Sequence, residues 1–151
     1  MDGEIPAGLR FSIIGRSFKK QLDGLLREHE LTGVQFGVLG ELLRLEHGGG
    51  EITQRDLEAV SRVTHPTMTE ILKRLERKGF VSIRPGELDR RCKCISSTES
   101  SAALCHQLRE SDERVFSAIT EGLSEAERGE LLRLTDKMLK NICGKGNETN
   151  D

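Results

Sequence analysis

The sequence predicts a mainly α-helical fold with one small β-hairpin, and two observations lead to this prediction. Apolar residues recur at steps of three and four along most of the 151 residues, which is typical of amphipathic helices. This pattern breaks between residues 80 and 96, where β-preferring residues flank the turn-forming pair Pro85 and Gly86. Charged residues make up 32% of the chain and aromatic residues 3%, a composition that favours long helices over a thick β-sandwich.

Two amphipathic helices open the chain. The first covers about residues 9–26, where an apolar residue returns at nearly every turn. The second follows Thr32, whose hydroxyl can accept from the free N–H groups at a helix start. It ends at the glycines of residues 48–50, because glycine readily adopts the left-handed turn that closes a helix.

A short helix and a longer one follow at close spacing. The short helix begins after Thr53, and Asp56 lies three residues further on, which is the spacing of a capping box. The longer helix begins after Thr64, carries Pro66 in its first turn and ends at Gly79. The apolar residues that we expect to face the core are Met68, Ile71, Leu72 and Leu75.

The β-hairpin and two long helices complete the chain. Strands are expected over residues 80–84 and 92–96, and the turn between them carries Arg90 and Arg91 at its tip. Cys92 and Cys94 are expected on one face of the second strand, because side chains alternate along a strand. The two long helices are expected over about residues 97–121 and 124–143, the first of them capped by Ser97 or Thr98. Ser124 and Glu127 have the spacing of a capping box at the start of the second.

This order of elements predicts a winged helix-turn-helix fold with long N- and C-terminal helices. A short helix joined closely to a longer one is the arrangement whose second helix enters a DNA major groove, and the hairpin adds a wing. Residues 62–93 hold nine Lys or Arg against four Asp or Glu, whereas the rest of the chain holds fourteen against twenty-one. A basic segment of this kind is expected at a nucleic-acid surface, although a winged helix that binds only protein is an alternative.

Several classes of function are disfavoured by the sequence. No apolar run approaches the roughly 20 residues that span a bilayer, and the N-terminus lacks the apolar centre of a signal peptide, so a cytoplasmic protein is expected. No nucleophile is paired with a base, so we expect no enzymatic activity. The histidines and cysteines lack the spacing of a metal site, so we expect free thiols and neither metal nor cofactor.

Four stretches of the sequence resemble the MarR family of bacterial winged-helix regulators. They read "LTGVQFGVLGEL", "ITQRDL", "THPTMTEILKRLERKGFVSIRPGELDRR" and "ISST". The resemblance extends over about residues 9–143. It implies a homodimer that binds a palindromic operator in double-stranded DNA and usually represses transcription.

The resemblance also implies roles for segments and residues. Residues 1–31 would form an N-terminal dimerisation helix, residues 32–96 the DNA-binding domain, and residues 97–151 the C-terminal dimerisation helices and tail. Asp89 would stabilise the wing by pairing with an arginine, and Arg91, with Arg90 beside it, would enter the minor groove. The recognition-helix residues expected to contact bases and phosphates are Thr64, His65, Pro66, Thr67, Thr69, Lys73 and Arg74.

Two kinds of regulation occur among proteins that the chain resembles. Many respond to small aromatic ligands, and the apolar residues that would line such a pocket here are equally good core residues: Ile13, Phe18, Phe36 and Leu39. Others respond to cysteine oxidation, so a thiol-based sensor that uses Cys92 or Cys94 is an alternative to regulation by a ligand.

Three residues depart from the family pattern. The family usually has a small residue at the position of Glu58 and a leucine at that of Ser61, where the two helices of the motif pack. Ser97 stands before Thr98 where a hydrophobic residue is usual. We therefore expect Glu58 to reach solvent or to pair with a basic neighbour, and the packing near Ser61 to be looser.

Overall fold

The computed structural model describes residues 4–143, and the tail that follows lies outside the described residues. The described chain forms six helices and two strands. In chain order they are α1 (Ala7–Glu28), α2 (Gly33–Glu46), α3 (Gln54–Ser61), α4 (His65–Arg77), β1 (Val81–Pro85), β2 (Lys93–Ser97), α5 (Glu99–Ile119) and α6 (Glu125–Cys143). The predicted class, mainly helical with one hairpin, is confirmed. The chain divides into two compact units, with the boundary between Glu113 and Arg114.

The core of the first unit is built from one buried apolar cluster. Helices α2 and α4 each supply a stripe to it, as their helical spacing predicts, and α3 supplies Leu57. The predicted inner face of α4 is confirmed, since Met68, Ile71, Leu72 and Leu75 are all buried. Strand residues and α5 complete the cluster with Phe80, Val81, Ile95 and Leu104. This packing fixes α3 and α4 as a helix-turn-helix pair.

The helix starts follow the capping residues in the sequence. Thr32 forms a capping box with Gln35, and Thr53 forms one with Asp56, whose carboxylate also accepts from the backbone N–H of Thr53 at 2.8 Å. Arg62, in the turn between α3 and α4, has a left-handed backbone with φ of 52°. This turn sets the angle at which α4 leaves the shorter helix.

The hairpin is attached to the segment that precedes α3. Strands β1 and β2 pair antiparallel with Ile83 opposite Ile95. The backbone N–H of Ile95 also donates to the carbonyl of Ile52 at 2.8 Å, and Thr53 and Cys94 form a β-bridge. The expectation that Cys92 and Cys94 share a strand face is wrong, because β2 begins only at Lys93. Cys92 lies exposed in the turn, whereas Cys94 is buried.

The start of α5 is tied to two other helices by polar side chains. Ser97 donates from its backbone N–H and its hydroxyl to Glu46, the last residue of α2, at 2.7 and 2.6 Å. The hydroxyl of Thr98 donates to the carbonyl of Gly79, just beyond α4, at 2.6 Å. Ser97 therefore has a specific polar partner where the family usually has an apolar residue.

The second unit contains the end of α5 and all of α6. Ser124 and Glu127 form the predicted capping box at the start of α6, with hydrogen bonds of 2.8 and 3.2 Å. The hydroxyl of Thr120 donates to the carbonyl of Phe116 at 2.7 Å, and the guanidinium of Arg128 donates to the carbonyl of Thr120 at 3.2 Å. Among residues 4–143, no helix is long and apolar enough to cross a membrane.

Replacing Leu75 by alanine should lower the free energy of unfolding by about 2–5 kcal/mol, because its side chain is completely buried and its removal leaves a cavity. Leu88→Ala is the matched control, since Leu88 is 95% exposed and its truncation should change stability by less than about 0.5 kcal/mol. Chemical denaturation followed by circular dichroism measures both. Equal effects of the two substitutions would contradict the described core.

Candidate nucleic-acid interface

The outer face of α4 is exposed along its whole length. Opposite the buried stripe lie Thr67, Glu70, Lys73, Arg74 and Arg77, all open to solvent. Glu70 is 3.7 Å from the guanidinium of Arg74, one helical turn further on. Among residues 4–143, Lys73 and Arg77 have no carboxylate within 4 Å, so this face of the helix presents positive charge outward.

The first turn of α4 is held by a group of polar side chains from α3. Gln54 donates through Nε2 to the Glu58 carboxylate at 2.8 Å and to the hydroxyl of Thr69 at 2.9 Å. The hydroxyl of Thr69 donates to the carbonyl of His65 at 2.9 Å. The Nδ1 atom of His65 lies 2.7 Å from Oε1 of Glu58. The start of the second helix is thus bonded to the first.

Glu58 therefore pairs with a neighbour, which is one of the two outcomes expected from its departure from the family pattern. Its side chain is only 19% exposed, whereas that of His65 is 72% exposed. The hydrogen bond from Gln54, followed by the hydrogen bond and charge of His65, lowers the pKa of the Glu58 carboxyl below its usual value. The charged carboxylate is favoured in the folded chain. The stability that it contributes to the fold is therefore lost as the pH falls through the lowered pKa.

The wing is shaped by backbone hydrogen bonds. The N–H of Gly86 donates to the carbonyl of Cys92 at 2.8 Å, and the N–H of Cys92 donates to the carbonyl of Asp89 at 3.0 Å. The N–H of Glu87 donates to the side chain of Glu51 at 2.6 Å. Arg90 and Arg91 are exposed at this turn.

Asp89 contacts an arginine through the backbone of that residue. Its Oδ1 accepts from the backbone N–H of Arg91 at 2.9 Å, and within the described residues it forms no ion pair with a guanidinium. A side-chain oxygen that accepts from the backbone two residues on is a common way for aspartate to shape a turn. The guanidinium of Arg91 consequently carries its full charge into solvent.

A cavity of about 510 Å³ lies between the start of α4 and the wing. It brings together predicted interface residues from both elements. Its lining consists of Thr53, Gln54, Arg55, His65, Thr69, Arg91, Cys92 and Lys93. The sequence did not point to Gln54 or Arg55; the one available signal was the four-residue spacing from Gln54 to Glu58, which places both on one helix face.

The cysteines differ in their surroundings. Burial, with the Glu51 carboxylate second, raises the pKa of the Cys94 thiol, and burial also raises that of Cys105. Both thiols are therefore held in their less reactive protonated form. Cys92 is exposed, and its Sγ lies 3.8 Å from the Asp89 carboxylate. Of residues 4–143, no three His, Cys, Asp or Glu side chains are grouped to hold a metal ion.

The four residues expected to line a ligand pocket have different environments. Leu39 is 1% exposed and belongs to the core, and Phe36 packs against that core. Phe18 is half-buried, and Ile13 is 46% exposed on α1. Leu39 is thus a core residue of the single chain, and the use of the others by a ligand stays a prediction.

A helix-turn-helix pair followed by a hairpin, with an exposed cationic helix face beside exposed hairpin arginines, defines the winged helix-turn-helix class of proteins. The sequence model of the MarR family matches residues 29–91, which run from the end of α1 to the wing. The match covers the helix-turn-helix pair and the wing, so this part of the chain is similar to the MarR family.

The chain is similar to solved structures of MepR from S. aureus. A MepR mutant bound to an oligodeoxyribonucleotide is 27% identical, with 92% of this chain and 99% of that chain covered and a TM-score of 0.71. A MepR–DNA complex is 26% identical over 87% of this chain and 96% of that chain, also at 0.71. The structure of MepR bound to ethidium bromide is 26% identical to this chain and has a TM-score of 0.69. The match covers 93% of this chain and 99% of that chain.

Gly86→Ala should lower the free energy of unfolding by about 1–3 kcal/mol, because a Cβ there would lie 2.8 Å from the backbone oxygen of Asp89 and would push the wing turn open. Gly40→Ala is the matched control. No atom lies within 4 Å of a Cβ at that site in α2, so better helix propensity should raise stability by about 0.5–1 kcal/mol. Thermal or urea denaturation measures both, and stabilisation by Gly86→Ala would contradict the wing geometry.

Proposed function

We propose that the chain is a transcriptional regulator that binds a palindromic operator as a homodimer and acts as a repressor. In this proposal residues 32–96 contact DNA, and residues 1–31 and 97–151 join the two copies. The observation that carries it is that the outer face of α4 and the wing both expose cations, and that the start of α4 and the wing line one cavity. The MepR structures in complex with DNA support the same use of this fold.

The recognition helix fits a major groove for reasons of size and charge. The side chains at its start are short or planar, namely Thr64, His65, Pro66, Thr67 and Thr69, so the backbone can approach bases and phosphates closely. The positive end of the helix dipole also favours an anion there. Lys73 and Arg74, further along the same helix, would attract phosphates and orient the helix without reading sequence.

The wing fits a minor groove. A minor groove is narrow and strongly negative, and a guanidinium on a two-stranded hairpin is thin enough to enter it. Arg90 and Arg91 stand exposed at the tip, and the hydrogen bond from the Arg91 N–H to Asp89 holds the backbone on which they are carried. Asp89 is therefore proposed as a wing-stabilising residue through the backbone.

Dimerisation is supported by apolar side chains left in solvent on two terminal helices. On α1 and the residue before it these are Ile5, Leu9, Phe11, Ile13 and Ile14. On α6 they are Leu131, Leu132, Leu134, Met138, Leu139 and Ile142, and no described residue of α6 is buried. Apolar area of this extent is stabilised when a second copy covers it.

The proposed effector is a small aromatic molecule that releases the repressor from DNA. MepR has been solved with ethidium bromide, a planar aromatic cation, which supports a ligand of this class. In the single chain Phe18 and Ile13 on α1 are only partly covered, so they remain available to a ligand or to the partner copy.

The wing contribution can be measured by fluorescence anisotropy with a labelled duplex that the wild-type chain selects from a random-sequence pool. Arg91→Ala should weaken binding by about 1–3 kcal/mol if the guanidinium enters the minor groove. Arg44→Ala is the matched control, because its exposed guanidinium lies on α2 and already pairs with Glu41 at 2.7 Å.

Wild-type affinity should also fall by about a thousandfold between about 50 and 200 mM salt, because phosphate contacts release counterions. Affinity that is insensitive to salt, or an equal loss in the Arg44 and Arg91 variants, would contradict the proposal. A protein partner captured with no DNA binding would favour the interaction module instead.

Leu139→Asp should convert the full-length chain from dimer to monomer in sedimentation velocity and abolish tight operator binding, because it buries a charge in the proposed interface on α6. Leu88→Asp introduces the same charge at a fully exposed position on the wing turn and should leave the dimer intact. A wild-type chain that sediments as a monomer, or a Leu139→Asp variant that remains dimeric, would contradict this interface.

A further inference from the structure

Four polar side chains at the junction of α3 and α4 form a closed ring of hydrogen bonds. Gln54 contacts Glu58 at 2.8 Å, and Glu58 contacts the ring of His65 at 2.7 Å. Thr69 closes the ring, because it contacts both the His65 carbonyl and Gln54 at 2.9 Å. Two of these residues come from each helix.

The chemistry of the four groups fixes the direction of each hydrogen bond. A carboxylate can only accept, so Nδ1 of His65 must carry the proton that it shares with Glu58. The Nε2 atom of Gln54 lies nearest to the Glu58 carboxylate and the Thr69 hydroxyl, at 2.8 and 2.9 Å, and it also lies 3.2 Å from Nδ1 and 3.3 Å from the carbonyl of His65. The Thr69 hydroxyl donates to the His65 carbonyl. In a neutral imidazole, a proton on Nδ1 leaves Nε2 as an acceptor.

We propose that Glu58 is a positioning residue that holds His65 with Nε2 directed outward, so that His65 donates to DNA only when the imidazole is protonated. This inference rests on the proposed DNA-binding function and adds to it a dependence on pH. A neutral Nε2 presents a lone pair, which a phosphate oxygen repels. A protonated Nε2 carries an N–H and a positive charge, and its hydrogen bond to an anion is about twice as strong as a neutral one.

The charged surroundings of His65 are defined by the cavity beside it. Glu58 and Arg55 face it from α3, and Arg91, Cys92 and Lys93 face it from the wing and the start of β2. Among residues 4–143, Glu58 is the carboxylate that contacts the ring. Bound phosphates would lie close to the three cations, Arg55, Arg91 and Lys93.

The position of the proton can be measured without DNA. In the full-length wild-type chain with ¹⁵N-labelled histidine, NMR at a pH where imidazole is neutral should show His65 as the Nδ1–H tautomer. Glu58→Gln keeps the shape of the side chain but can either donate or accept, so His65 should shift toward the Nε2–H tautomer. The spectrum of His106 should not change. An Nε2–H tautomer in the wild-type chain would overturn the inference.

The consequence for binding is measured with the selected duplex at constant ionic strength across the range in which imidazole titrates, between about pH 5 and pH 8. Wild-type affinity should rise about tenfold toward the acid end. His65→Gln should abolish this dependence, and Glu58→Gln should remove most of it. Glu110→Gln is the matched control, because Glu110 lies 3.7 Å from His106 on α5 and its loss should leave the profile unchanged.

The outcomes separate this inference from the proposed function. Tight, salt-dependent binding with no pH dependence, or a profile that Glu58→Gln leaves intact, would overturn the role of Glu58 while the regulator remains. No DNA binding at any pH would overturn both, since His65 would then have no phosphate to contact. Thermal unfolding of each variant by circular dichroism shows whether the fold is retained. If Glu110→Gln removed the pH dependence of DNA affinity as fully as Glu58→Gln does, the inference would also be overturned.

Discussion

The attachment of the hairpin to the segment before α3 is the constraint on which the candidate interface depends. The hydrogen bond from the Ile95 N–H to the Ile52 carbonyl, at 2.8 Å, joins the wing to the helix-turn-helix pair, and both isoleucines are buried. Without this contact the wing would be an isolated two-stranded hairpin, which is marginally stable in water. With it, the arginines of the turn are held beside the first turn of α4. The proposed contact with two DNA grooves at once requires a fixed distance of this kind.

Positive and negative charges are distributed unevenly along the chain. The basic residues of the chain are concentrated between residues 62 and 93, which form α4 and the wing, whereas the remaining segments carry an excess of carboxylates. An excess of positive charge in one segment attracts a polyanion to that segment. The acidic remainder also keeps the net charge near zero, at −2.

The sequence was sufficient for those parts of the fold that depend on local pattern. Periodic apolar residues predicted all six helices, and Thr32, Thr53 and Ser124 marked helix starts because capping involves residues only three positions apart. The start of β2 was placed one residue early, so Cys92 was assigned to a strand. The length of a turn depends on backbone hydrogen bonds such as that from Gly86 to Cys92, which side-chain types alone do not specify.

Partners across the fold were harder to predict than elements. The arginine expected to pair with Asp89 contributes only its backbone N–H. For Glu58, the sequence could not decide between exposure to solvent and pairing with a basic neighbour. Its actual partner, His65, lies seven residues away across the turn at Arg62, and the contact exists because of the left-handed backbone there. Contacts that depend on a turn angle and a rotamer together are specified only when the chain is folded.

The two hydroxyl-bearing residues ahead of α5 have a mechanical consequence for regulation. Ser97 is bonded to the last residue of α2, and Thr98 to the carbonyl that ends the turn after α4. Any rotation at the beginning of α5 must therefore stretch these bonds or carry the C-terminal end of α4 with it. The start of α5 is thus joined to the end of α2 by two polar contacts and to the residue beyond α4 by one, so in the proposed regulator a movement of α5 would reach both helices.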